Sequence, residues 1–93
     1  MRGMNNKNRG HMVKVNFFGA LKMDLGLDFV ELSAKSIKEV YTKLIDMFDV
    51  MKKADIGQYI TFVNGENIAN LNKEDTVLKD GDEIKLLSPI FAV

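Results

Sequence analysis

Cysteine and histidine, the side chains that most readily attack a carbonyl or carry a proton near neutral pH, are nearly absent from this 93-residue sequence. It has no cysteine, which excludes disulfides, thiolate zinc sites, CxxC redox chemistry and cysteine nucleophiles. Its one histidine, His11, falls in a stretch with no apolar periodicity. Most routes to nucleophilic and general acid–base catalysis are thereby closed, and a self-sufficient enzyme is not expected. Asp80, Asp82 and Glu83 have the donor type of a divalent-ion site, but Asp-Gly-Asp here lacks the further oxygen ligands of a calcium loop. A solvated turn is the better reading, Lys52-Lys53 reads as loop charge, and neither metal nor cofactor is expected.

The formal charge is zero, with 13 basic and 13 acidic residues, but it is unevenly distributed. Residues 1–11 (MRGMNNKNRGH) are Asn-rich and lack the apolar run of an export signal. They are expected to be an expression leader or disordered arm, leaving residues 12–93 as one small domain. Arg2, Lys7 and Arg9 supply three of the basic residues and no aromatic accompanies them, so a nucleic-acid arm is disfavoured. The remainder has 10 basic against 13 acidic residues, a charge of −3, which argues against nucleic acid and suits a more basic protein partner. No apolar run approaches the roughly 18 residues of a membrane span. A cytoplasmic location is expected.

The elements follow from periodicity. Residues 13–18 (VKVNFF) alternate, with Val13, Val15 and Phe17 on one face. Residues 19–26 read as a connecting segment. Residues 27–33 (LDFVELS) are β-rich with a slipped phase, which a bulge near Phe29 would reconcile. Ser36-Ile37-Lys38-Glu39 is a capping box, and Ile37, Val40, Tyr41, Leu44, Ile45 and Phe48 recur at helical spacing behind it. Residues 49–57 form a polar loop. Residues 58–63 (QYITFV) predict a strand with Ile60 and Phe62 facing inward. Asn64-Gly65 predicts a type I′ hairpin returning over residues 66–69. Residues 70–76 are too polar for a core strand, Asp80-Gly81 makes a tight turn, and residues 83–88 are the last strand. The fold class expected is α+β, a mixed sheet with one main helix on one face and the first and last strands paired centrally. That is the ubiquitin-like β-grasp arrangement.

Three pieces carry a family resemblance: Val13-Lys14-Val15-Asn16-Phe17-Phe18, then Phe62-Val63-Asn64-Gly65, then Leu78-Lys79-Asp80-Gly81-Asp82-Glu83-Ile84 with Ser88-Pro89-Ile90. In order and spacing they resemble the ThiS/MoaD family of ubiquitin-like sulfur carriers over residues 12–90. The paired phenylalanines tilt the likeness toward the molybdopterin-synthase small subunit over the thiamin carrier. The resemblance implies a tail, here residues 89–93, that enters a partner's active site. An ATP-dependent adenylating enzyme would activate its terminal carboxylate, and sulfur transfer would make a thiocarboxylate for a synthase partner. The family tail ends in Gly-Gly, which lets the backbone approach the adenylation site closely. Ala92 and Val93 stand at those positions, and the β-branched Val93 adds bulk beside the reacting carbonyl.

That departure has three readings. The chain could keep the fold and partner surface without the sulfur chemistry, be a working carrier with a matched partner, or be an unprocessed or altered form. If the helix covers the face carrying Val13, Val15, Phe17, Ile60, Phe62, Ile84 and Leu86, the opposite face displays Phe18, Tyr59, Val63 and Leu87. Phe18, Leu87, Ile90 and Phe91 are the expected contact set for an adenylating enzyme or synthase large subunit. Cover by the chain's own loops or by a second copy in a homodimer is the competing reading of the same surface. Two functions therefore stand: a sulfur-carrier cosubstrate modified at Val93, and a non-activated β-grasp interaction module.

Overall fold

The computed structural model describes residues 11–49, 51 and 58–88. The expected leader (apart from His11) and the tail residues Ile90, Phe91, Ala92 and Val93 lie outside them.

Strand β1 (Met12–Phe18) runs into helix α1 (Gly19–Leu25), which is followed by β2 (Phe29–Ser33) and helix α2 (Ile37–Met47). Strand β3 (Ile60–Val63), a short β4 (Glu66–Asn67), two 3₁₀ turns (Ile68–Asn70, Lys73–Asp75) and β5 (Glu83–Leu87) complete the order. The sheet order is β2-β1-β5-β3-β4. Among the described strands only β1 and β5 pair in parallel; the other neighbours are antiparallel. The first and last strands thus lie side by side at the sheet centre, and α2 packs on one face. This is the α+β, ubiquitin-like β-grasp.

Helix α2 starts where the capping box places it. Ser36 Oγ accepts from the Glu39 N–H at 3.3 Å, and the Glu39 carboxylate accepts from the Lys35 N–H at 2.8 Å. Its stripe of Ile37, Val40, Tyr41 and Leu44 is buried against Val13, Val15, Phe17, Ile84 and Leu86 of the sheet. Phe48 closes the far end, meeting the Phe17 ring edge-on with centroids 6.1 Å apart. The β3–β4 turn has φ of +51° at Asn64 and +88° at Gly65, the positive pair that a type I′ hairpin requires.

Four expectations need correction. Residues 19–26 are not a bare connection: α1 fills them, burying Leu21 and ending at Gly26 with φ +70°. No bulge occurs at Phe29, because β2 begins there and Leu27 lies outside it; Val30 and Leu32 point inward in unbroken register with Val15 and Val13. The β4 return covers two residues before the chain coils into a 3₁₀ turn. Strand β3 has the opposite phase to the one expected. Thr61 and Val63 face the core, whereas Ile60 is 41% exposed and Phe62 half-buried on the outer face. The cause is a polar contact inside the core: the Tyr41 hydroxyl lies 2.6 Å from Thr61 Oγ1, so α2 draws the threonine inward and Ile60 and Phe62 turn out.

Candidate docking face

The sheet face away from α2 is built from the outward positions of four strands. Register places them in rows. Phe18, Leu87 and Ile60 are successive lateral partners across β1, β5 and β3. Phe29, Asn16, Lys85 and Phe62 make the next row across β2, β1, β5 and β3. Glu31, Lys14 and Glu83 make the third. Phe18, Phe29 and Ile60 are each about two-fifths exposed, at 40%, 44% and 41%. Five large apolar side chains therefore share one surface, flanked by charged residues, which makes it the candidate docking face. A shallow depression of about 340 Å³ lies within it, lined by Phe18, Phe62, Gly65, Lys85 and Leu87. The Lys14 ammonium sits 4.4 Å from the Phe29 ring centre, keeping that ring flanked by positive charge.

Two of the sequence-derived contact residues, Phe18 and Leu87, are direct neighbours in the parallel β1–β5 ladder. The other two, Ile90 and Phe91, fall outside the described residues. Tyr59 is half-buried against the core and Val63 is buried, so neither belongs to the face as expected. Phe29, Ile60 and Phe62 do belong to it, beyond the residues expected there. The alternation of β3 is visible in the sequence, but both of its phases are apolar enough to be the inner one.

The patch lies at the root of residues 89–93, because β5 ends at Leu87 beside Phe18. Ser88, the last described residue, is held in place: its Oγ accepts from the Leu21 N–H of α1 at 3.3 Å. Helix α1, which the sequence pattern does not announce, therefore fixes where the terminal segment departs.

The acidic turn is committed to structure. An Asp80 carboxylate oxygen accepts from the Met12 N–H at 2.9 Å, and Asp82 accepts from the Lys79 N–H at 2.8 Å and the Asn64 amide at 2.9 Å. These bonds tie the start of β1 and the β3–β4 turn to the start of β5. No group of three or more metal-binding side chains occurs among the described residues. On the helix side, burial pushes the Tyr41 phenol above its ordinary value of 10.0; the Thr61 hydrogen bond opposes the shift and the Glu74 charge adds to it. Burial also raises Tyr59, with the Asp24 charge reinforcing it. Both phenols are neutral at physiological pH. No helix among the described residues is long and apolar enough to cross a membrane.

Known proteins share this architecture. The small archaeal modifier protein 1 from Methanosarcina acetivorans superposes with a TM-score of 0.79 at 30% identity, covering 90% of this chain and 98% of that one. A chain in the complex of subunits 1 and 2 of the molybdopterin-converting factor from Helicobacter pylori superposes with a TM-score of 0.61 at 33% identity, covering 88% and 99%. A putative molybdopterin converting factor subunit 1 from Pyrococcus furiosus, at 21% identity and a TM-score of 0.73, shares the fold over 86% of this chain and 99% of that one. Comparison with curated proteins gave no match. The ThiS family model matches residues 9–91, nearly the whole chain, and with the β-grasp fold this shows that the protein belongs to the ThiS family, the ubiquitin-like ThiS/MoaD group of carriers and modifiers.

Proposed function

We propose that the protein is a ubiquitin-like carrier that docks on a partner enzyme through its outer sheet face and presents residues 89–93 to that enzyme's active site. The observation that carries this reading is the lateral pairing of Phe18, two-fifths exposed, with the half-buried Leu87 at the foot of that segment. Docking there positions the chain beyond Ser88 without the domain supplying any catalytic group. The partners are an adenylating enzyme and a synthase large subunit in the cytoplasm, in molybdopterin or thiamin biosynthesis. Support for a protein partner comes from the Helicobacter pylori relative, which was solved in a complex of subunits 1 and 2. The Methanosarcina acetivorans relative is called a modifier protein, which favours a carrier whose terminal carboxylate is activated.

In this reading Val93 provides that carboxylate and Ala92 precedes it, with Ile90 and Phe91 extending the contact begun by Phe18 and Leu87. The second reading, a non-activated interaction module, is favoured by Val93 itself, whose branched side chain crowds the carbonyl to be adenylated. Incubation with a family adenylating enzyme, ATP and a sulfur donor, followed by intact-mass measurement, separates the two. A mass gain equal to one oxygen exchanged for sulfur supports the carrier. An unchanged mass with binding retained supports the module, and the same assay on Ala92→Gly/Val93→Gly shows whether the tail alone is limiting.

A further inference from the structure

The outer face is a near-palindrome. Consider a two-fold axis lying in the plane of contact, parallel to the strands and midway between β1 and β5. It exchanges β1 with β5 and β2 with β3. Because Lys14 pairs with Glu83, Asn16 with Lys85 and Phe18 with Leu87, the axis lays each row on its own reverse. Lys14 of one copy meets Glu83 of the other and the converse. Asn16 meets Lys85, Phe18 meets Leu87, and Phe29 at the β2 end meets Phe62 at the β3 end.

We infer that a second copy of this chain occupies the outer sheet face, forming an isologous dimer in which two sheets pack face to face with aligned strands. The required features coincide on this one surface. Apolar residues lie opposite apolar residues, unlike charges lie opposite each other twice over, and a closed two-fold contact needs self-complementarity of this kind. Aligned stacking is an ordinary packing for twisted sheets, with about 10 Å between them. The patch spans only four strands, roughly 14 Å between the β2 and β3 axes. That places the contact at the small end of specific interfaces, so a weak, concentration-dependent dimer is expected. The dimer covers the surface assigned above to the partner enzyme, so the two complexes exclude each other and self-association withholds the carrier at high concentration.

Sedimentation equilibrium of the full chain alone, up to about 1 mM, tests this independently of any partner. The expected mass rises with concentration from 10.5 kDa toward twice that value. Lys14→Glu and Glu83→Lys each weaken dimerisation at least tenfold, and their combination restores it to within about threefold, since each contact regains opposite charges. The absence of native cysteine permits a second measurement. An equimolar mixture of Phe29→Cys and Phe62→Cys chains is joined by a thiol-reactive cross-linker of about 10 Å reach faster than either variant alone, because unlike positions face each other across one inter-sheet spacing whereas like positions are displaced by about a further 14 Å sideways across the axis. A monomer at every concentration, a dimer indifferent to both charge variants, or cross-links favouring like variants would overturn the assignment. Any of these outcomes leaves the partner reading standing, because only this chain is measured.

Discussion

The hydrogen bond between Tyr41 and Thr61 is the one polar link buried between α2 and the sheet among the described residues, and removing it makes a quantitative test of how the helix sets the phase of β3. The Tyr41 side chain is 5% exposed and Thr61 is 1% exposed, and their oxygens lie 2.6 Å apart. Tyr41→Phe deletes the phenol oxygen and leaves the Thr61 hydroxyl without its partner in the core. Such an orphaned group costs about 1–3 kcal/mol, and the adjoining groove of about 660 Å³ gives water a route to it, so a value in the lower half of that range, about 1.5 kcal/mol, is expected. For a domain of this size that lowers Tm by roughly 6–12 °C. Thr61→Val removes the other partner at nearly constant shape and costs about 1 kcal/mol, the phenol being the more exposed of the two. The double variant removes both polar groups together and should lose about 1 kcal/mol less than the sum of the single losses. Urea unfolding of all four proteins measures this, with the denaturant slope unchanged across the set. If the losses add to within about 0.3 kcal/mol, the two hydroxyls do not couple the helix to the sheet, and the explanation for the inward-facing threonine fails.

Three further outcomes are expected. Stability should be level up to about pH 10 as far as the two phenols are concerned and fall as pH rises further. Both phenols are raised in the fold, so the native state holds protons that the unfolded chain releases; pH-dependent unfolding should show Tyr41→Phe flattening the buried, larger share of that decline. Phe18→Ser, at a two-fifths exposed position, should change stability by less than about 1 kcal/mol yet weaken binding to a family adenylating enzyme at least tenfold in calorimetric titration; a variant that unfolds would place Phe18 in the core and refute the docking face. Ser36→Ala should cost about 1 kcal/mol in thermal unfolding, because the Glu39 N–H loses its acceptor and the capping box opens.

Sequence reading succeeds where a local signal admits one physical solution. Ser36 and Glu39 could only open a helix, the stripe from Ile37 to Leu44 could only face a core, and Asn64-Gly65 could only turn a hairpin. Central pairing of the first and last strands follows from the order of elements. The misses share a different cause. Strand β3 offers Ile60 and Phe62 on one face and Thr61 and Val63 on the other, and the choice depends on a tyrosine 20 residues away in sequence. Helix α1 spans seven residues, too few for a repeating stripe. Its signals are Gly19 and Gly26, both at positive φ and bracketing it. Phe29 reads as part of a slipped strand only when Leu27 is counted in the same element. Two of the five apolar residues on the candidate docking face, Phe18 and Leu87, are therefore legible in the sequence; Phe29, Ile60 and Phe62 are hidden behind phase errors of one residue.

The central place of β5 also determines how the molecule carries load. It is hydrogen-bonded on both sides, to β1 and β3, and leads directly into residues 89–93. A partner drawing that segment into a channel would pull along β5, not peel an edge strand. With β1 parallel to it and bonded from Lys14–Glu83 to Phe18–Leu87, traction between the two ends of the domain shears all the rungs of the ladder together instead of opening them one at a time. The arrangement resists extraction, so the domain can serve as a rigid handle while its terminal segment is worked on.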